Sequence, residues 1–550
     1  MSFSSLRSRL LLASVAGIIL LGGFISASDP LFQIRKHFSI FSDVIAEVNE
    51  LYVVEVAPEH VIRSGINAML ETLDPYTVLI DESESQDIDI MTTGSYAGVG
   101  MEVGARGDNL VVITPIEGYP AARQGIRAGD MIISVNGIST SGLSPTDLNT
   151  ELRGQVDSSV ELVIRRFGIE EPLEFTLVRE RIEVRNIEWY GFADDHEKVA
   201  YVLLSRFGQN AGAEIRAALE ELQEEAGGDL DGVILDLRNN PGGLLMEAVR
   251  TAEIFLPSGL EVVSTRGRSR QTTQEYATEQ APLFPDIPLV VMQNEGSASS
   301  SEIVSGAIQD YDRGVVLGRR SFGKGLVQII RPVSYGMALK ITTSKYFVPS
   351  GRYIQSVDYQ ERSIDSNAEE AGEAFTTEAG RTVYQLSGIS PDVELEQPAP
   401  GRLEIALLRG NHFFDFANRF AAEHDEIPEP GVEDEAVLEA FMEYLEDAGF
   451  TFESEAERLL ASLQKEMALA GSGGTSSSAI AALEEEIEQQ KQQIMREQER
   501  VLLRRIYREL ISRFPSDIPQ AKLRLQSDEE VSEALSILND ESRYNRILEP

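Results

Sequence analysis

Three short stretches carry residue types that could do chemistry together. "NEGSASSSEI", Asn294 to Ile303, leaves an apolar strand-like run and enters a helix-like one with four serines in the turn. A helix start favours negative charge, and a strand-to-helix turn exposes a side chain at the carboxyl edge of a sheet, so a nucleophile belongs there. Serines also cap helices, and on this stretch alone the two readings balance. A hydroxyl needs a base, most often histidine. The five histidines are His37, His60, His196, His412 and His424, with no H-E-x-x-H among them. Only His196 falls in the neighbouring α/β segment, in a polar "DDHEK" run. Lysine serves instead when apolar burial pulls its pKa down from ~10.4. Lys324 in "GRRSFGKG" suits that demand, set between glycines, after "VVLG" and Phe322 and ahead of Val327, Ile329 and Ile330. The same eight residues nearly match the phosphate-binding G-x-x-x-x-G-K-[ST] loop, but Gly325 replaces the magnesium-holding hydroxyl. The third stretch, "DLRNNPGG" from Asp236 to Gly243, ends a strand in a Pro-Gly-Gly turn whose backbone amides could face an oxyanion.

The elements that must position these loops follow from periodicity. From "VAYVLLSRF" to "GVVLGRR", short apolar strands alternate with amphipathic helices, which implies an α/β layer with a largely parallel sheet. All three loops then converge at its carboxyl edge, where such sheets bind ligands. Upstream, "YAGVGMEV", "LVVITPI", "DMIISVNG" and "SVELVIRR" are strands of a small β-rich module. Leu31 to Leu79 is helical, with Phe38, Phe41, Val44, Ile45 and Val48 in one stripe, up to the Pro-broken "LDPYTVLID". Residues 357 to 380 are polar and loop-like. Beyond Gly401 the pattern is helical, interrupted by the flexible linker "AGSGGTSSS" at 470–478. The charged helix after it carries an incomplete stripe, Ile480, Leu483, Ile487, Ile494, Val501 and Ile506, which favours packing on the chain's own body over a coiled coil.

The stretches "NEGSASSSEIVSGAIQD", "GRRSFGKGLVQ", "DLRNNPGG", "ALKITTSKYFVPSGRYIQ" and "GISPDV" resemble those of the carboxyl-terminal processing, or tail-specific, proteases over roughly residues 35 to 395. The resemblance implies a Ser/Lys dyad that cleaves proteins near their C-termini without metal or cofactor. It assigns the nucleophile to Ser299, the base to Lys324 and its orientation to Gln328. It assigns the oxyanion amides to Gly242 and Ser300, with Asp310 contributing in some members. Ser300 stands where alanine is commoner, leaving three consecutive serines, so the choice of Ser299 depends on spacing. Tyr76 stands where histidine is common. The β-rich module resembles a PDZ domain, with Gly98, Val99, Gly100 and Met101 as the carboxylate-binding loop and "PAARQGIRAGDMIISVNG" completing the signature. Such a module clamps an extended tail on a sheet edge.

Composition bounds the rest. The 550 residues allow two to four domains, and 42% hydrophobic with 25% charged residues is ordinary globular composition. A net charge of -42 excludes a basic nucleic-acid groove. There are no cysteines, which excludes disulfides and thiolate chemistry. Arg7 and Arg9 precede the apolar run Leu10 to Ala27, an export signal that is either cut, with Ser26 and Ser28 suiting a signal peptidase, or kept as a membrane anchor. The expected order is a signal or anchor at 1–28, a helical region at 29–90, a PDZ domain at 91–182, an α/β serine protease core at 183–400 and a helical region at 401–550. The expected function is an exported, periplasmic or envelope endopeptidase acting on unfolded C-terminal tails, with a homo-oligomer or adaptor as further partner. The rival is a catalytically silent PDZ scaffold.

Overall fold

The structure is a computed structural model. It describes residues 30–81, 94–194, 196, 198–355, 372–396, 400–428, 433–469, 479–487, 489, 498–514, 522, 525 and 528–550. The apolar N-terminal run, most of the polar stretch at 357–380 and the Gly/Ser linker lie outside them. No described helix is long and apolar enough to cross a membrane.

Two compact units divide the chain, one drawn from Met1–Asp81 and Gln328–Thr342, the other from Glu82–Val327 and Thr343–Pro550. In the first, helices Pro30–Leu51 and Pro58–Glu71 lead to the strand Val78–Ile80, which pairs antiparallel with Ala338–Lys340. The "LDPYT" turn is closed by Asp74, whose carboxylate accepts from the amides of Tyr76 and Thr77 and from the Thr77 hydroxyl. The stripe expected on the first helix is present but faces outward, with Phe38 and Val44 exposed.

In the second unit the β-rich module is a six-stranded antiparallel sheet with Met101–Arg106 at one edge, helices Pro120–Arg123 and Pro145–Leu152, and a core that includes Val112, Ile132, Leu148 and Leu162. A capping box between Ser144 and Asp147, with Pro145 in the first turn, fixes where the second helix begins.

The mostly parallel sheet has six strands: β1 (Ile187–Phe192), β2 (Val199–Leu204), β3 (Gly232–Asp236), β4 (Leu289–Gln293), β5 (Val315–Gly318) and β6 (Val393–Glu394). They lie side by side in chain order, β1 antiparallel to β2 and the others parallel. Right-handed crossovers between strands laid down in one direction fall on the same face. Helices α1 (Ala211–Glu225), α2 (Leu245–Ala252) and α3 (Ser300–Asp310) accordingly share one core with Ala200, Val202, Val233, Leu235 and Val291. The alternate residues Val199, Tyr201, Ile234, Val290 and Met292 point the other way. A parallel sheet needs cover on both faces. Cover comes from the far end of the chain, where α4 (Glu529–Leu538) and α5 (Glu541–Leu548) bring Val531, Ala534, Ile537, Leu538 and Tyr544 onto that face.

The remaining C-terminal helices form their own cluster around Leu407, Phe416, Phe441, Leu502 and Ile506. The described part of the late charged helix, Glu499–Leu510, therefore packs on the chain itself. The ring of Phe414 from this cluster lies 5.4 Å from the guanidinium of Arg106 on the β-rich module and 4.7 Å from that of Arg513.

Candidate active site

Strand β4 ends in a turn that forces Ser299 into a backbone conformation of φ 56° and ψ -112° before α3 begins. A residue with a Cβ is disfavoured there, and such strain persists where the surroundings over-determine it. Gly242, at φ 95° in the Pro-Gly-Gly turn, is part of those surroundings. A Cβ on it would come within 2.8 Å of Ser299 Cβ and 2.9 Å of the Ser300 amide, so only glycine fits. The neighbouring hydroxyls are committed elsewhere: Ser297 donates to Leu237 O at 2.7 Å, Ser300 to Gly243 O at 3.2 Å and Ser301 to Asn240 O at 2.9 Å. Those three residues are buried, whereas Ser299 reaches the surface in part.

The loop after β5 is tied to this turn by one carboxylate. Glu302, fully buried on the first turn of α3, accepts on Oε2 from the Ser299 amide at 2.7 Å and the Lys324 amide at 2.9 Å. Its Oε1 accepts from the Ser321 hydroxyl at 2.6 Å and the Gly323 amide at 2.7 Å. Burial pushes its pKa up to about 7, against the pull of those four donors. The buried Tyr346 hydroxyl makes a second tie, 3.2 Å from Ser299 O and also bonded to Lys324 O. Lys324 itself is half-buried. Its flanking glycines have a steric cause: a Cβ at Gly323 would meet Gly388 N at 2.9 Å, and one at Gly325 would meet the Tyr353 ring at 2.9 Å. The segment runs on into the strand Leu326–Pro332 rather than a helix, so the phosphate-loop reading lacks its helix N-terminus.

The amide of Ser300 opens α3 and has no intrahelical acceptor, as at any helix start. That of Gly242 is bonded to Asn240 Oδ1 at 2.9 Å.

On the β-rich module, the loop Gly98–Met101 and the helix end at Asn149, Leu152 and Arg153 line a groove beside the edge strand Met101–Arg106. The carbonyl of Val99 accepts from Ala121 at 3.0 Å and that of Gly100 from Ile116 at 2.9 Å. In a trans peptide the N–H points opposite to the C=O, so the amides of Gly100 and Met101 turn away from the module's body. Arg153 sits 5.4 Å from the Tyr96 ring at the same groove.

The comparisons with known proteins follow this geometry. The Peptidase family S41 model matches residues 198–361, a PDZ domain model residues 111–166, and the C-terminal helical domain of probable PDZ-proteases residues 403–538. A carboxy-terminal-processing protease of Bartonella bacilliformis is 33% identical over 392 residues, covering 70% of this chain and 82% of its own. The chain belongs to the carboxy-terminal-processing proteases of peptidase family S41. A carboxyl-terminal-processing protease of Synechocystis is 37% identical over 52% of this chain and 66% of its own. A solved photosystem II D1 C-terminal processing protease is 28% identical, covering 64% of this chain and 86% of its own with a TM-score of 0.36.

This S41 peptidase is therefore a serine hydrolase with an α/β core, a PDZ domain and a C-terminal helical domain. Of the residues expected at its site, Ser299, Ser300, Gly242 and Lys324 gather at one corner of the sheet. Gln328 belongs to the first unit, where its Nε2 donates to Thr342 Oγ1 at 3.3 Å. Asp310 closes α3, about 15 Å of helical rise from Ser299. Its carboxylate is held by Arg352 at 2.5 Å and the Ser350 amide at 2.9 Å, and burial raises its pKa against those partners. In this chain it anchors the "VPSGR" turn. The sequence reading passed over Glu302, Tyr346 and Arg153. Ser299 followed by Glu302 fits the S-x-x-E capping pattern, which was a usable signal for the first. Nothing local marked the other two.

Proposed function

We propose that Ser299 and Lys324 are the nucleophile and general base of an endopeptidase that cuts substrates near their C-termini, and that the PDZ groove captures the tail. The observation that carries the pairing is the Glu302 oxygen that accepts from both backbones. In this reading the neutral amine of Lys324 takes the Ser299 hydroxyl proton as the oxygen attacks the scissile carbonyl. The oxyanion meets the Ser300 amide and, once Asn240 releases it, the Gly242 amide. The Lys324 ammonium then protonates the departing amine, and water hydrolyses the acyl-enzyme with the same lysine as base. Gln328 is assigned the orientation of that amine by resemblance.

In the groove, a free carboxylate would accept from the outward amides of Gly100 and Met101 beside Arg153, while the tail pairs along the edge strand. The segment Leu10 to Ala27 would export the body to the periplasm or envelope, anchored if uncut. Cleavage of one unfolded peptide, with its C-terminus free or amidated and with native enzyme or Ser299→Ala, tests both parts. The free form should be cut faster below saturation and the variant should be inactive. Equal rates for the two peptides would remove tail capture, and an active Ser299→Ala would remove the dyad.

A further inference from the structure

Each of the three loops at this corner also carries a charged residue outside the proposed chemistry. Arg238 lies three residues before Pro241 of the Pro-Gly-Gly turn, Arg319 opens the loop to Lys324, and Glu295 lies in the loop to Ser299. The Arg238 guanidinium is bonded to the buried Asp236, which also accepts from the Tyr201 hydroxyl at 2.5 Å, and to Asp528 at 2.8 Å. Arg319 donates to Glu295 at 2.9 Å. Between the two arginines stands Glu530, from the first turn of α4. Its Oε2 accepts from Arg238 Nη1 at 2.8 Å and its Oε1 from Arg319 Nη1. One carboxylate, nearly three hundred residues along the chain from Arg238, thus joins the oxyanion turn to the base loop and, through Arg319, to the nucleophile loop.

An acidic residue in the first turn of a helix is favoured by the helix dipole whatever it touches. Here that explanation is insufficient. Asp528 already caps α4 by accepting from the Glu530 and Val531 amides, and Val531, Ala534, Ile537 and Leu538 already dock it by apolar burial. The two Glu530 bonds add to that docking, but their division between arginines of different loops is not needed for it. It does fix the separation of the loops. The three side chains are only about a fifth exposed, so the ion pairs are incompletely screened by solvent.

We infer that Glu530 is a positioning residue for the peptidase reaction, holding the oxyanion turn and the base loop in register from the C-terminal helical pair. The inference rests on the Ser299/Lys324 reading. In Glu530→Gln the amide nitrogen turns a donor toward a guanidinium, so one of the two arginines loses its bond to residue 530 and the bridge between the loops opens, and Glu530→Asp is too short to reach both.

The test measures kcat and KM on a peptide with a free C-terminus, together with the thermal midpoint, for the full chain. Glu530→Gln should lower kcat about tenfold or more with KM unchanged, Glu530→Asp less, and Glu529→Gln, whose side chain is exposed, not at all. Combining Glu530→Gln with Arg319→Lys should cost no more in kcat than the worse single change, because both break one linkage. A Glu530→Gln enzyme with native kcat and only a lower midpoint would overturn the inference, as would fully additive losses in the double variant. If Glu530→Gln does not fold, Glu530→Asp decides on the same criteria. Ser299→Ala run alongside separates the two claims, since an active Ser299→Ala sinks the dyad, whereas an inactive one beside a fully active Glu530→Gln sinks only the positioning role.

Discussion

At the catalytic corner four donors converge on Glu302, a tyrosine hydroxyl meets two carbonyls, and glycines are required by contacts under 3 Å. In the PDZ groove the guanidinium of Arg153 lies over the Tyr96 ring, 5.4 Å from its centroid. In the proposed function both places would meet a carboxyl or carbonyl oxygen with backbone amides, yet one is braced by buried side-chain hydrogen bonds and the other presents its loop amides beside a cation over a ring. The difference matches the tasks. Stabilising a transition state requires donors already in place, whereas capturing varied tails requires a backbone template with adaptable neighbours.

The comparison breaks most sharply at the proposed dyad. Ser299→Ala and Lys324→Ala should each lower peptide cleavage by about 10³-fold or more with unchanged KM, and pairing them should cost little extra, since they act as a unit. Lys324→Arg should be as poor because a guanidinium cannot be deprotonated at working pH. Ser301→Ala, which removes a hydroxyl bonded to Asn240 O, should stay active, and an inactive Ser301→Ala with an active Ser299→Ala would reassign the nucleophile.

Glu302→Gln comes next, with kcat down about 10²-fold, since an amide cannot accept on both sides. It also has a stability signature. The folded pKa of about 7 lies above the usual 4.5, so the folded state binds the extra proton between those values. The corresponding stability is fully present below about pH 4.5 and is lost as pH rises through 7, up to about 3 kcal/mol in all. Urea unfolding at pH 5 and pH 8 should show native enzyme losing stability relative to Glu302→Gln, and parallel curves would refute it.

Smaller effects sharpen the contrast. Tyr346→Phe removes one hydroxyl from the corner and should lower kcat about tenfold without changing KM. Arg153→Ala should do the reverse, raising KM about fivefold for a free C-terminus, leaving kcat alone and sparing an amidated peptide. An Arg153→Ala enzyme with lowered kcat and native KM would move that residue from capture to catalysis.

Much of this was legible before any coordinates. Strand and helix periods located the α/β layer, and three strand-end loops pointed to one edge. Among the three consecutive serines the resemblance chose Ser299 by spacing, and the structure adds a physical distinction. The Ser300 and Ser301 hydroxyls go to Gly243 O and Asn240 O, and of the three only Ser299 has a positive φ. Nothing local marked Glu530, because its arginine partners lie more than two hundred residues away.

What the sequence determined by itself is what depends on neighbours along the chain: period-2 strands, the glycine turns, the S-x-x-E cap and the Gly-Lys-Gly segment. What only the tertiary structure decided is what covers the second face of the sheet and what closes the catalytic corner. Sequential parallel strands with right-handed crossovers place every local helix on one face, so the cover for the other must come from elsewhere, and no local pattern names it. Hydrogen-bond partners such as Glu302 with Lys324, Tyr346 with Ser299 and Glu530 with two arginines are likewise set by the three-dimensional meeting of loops, because such bonds act over about 3 Å of space regardless of separation in sequence.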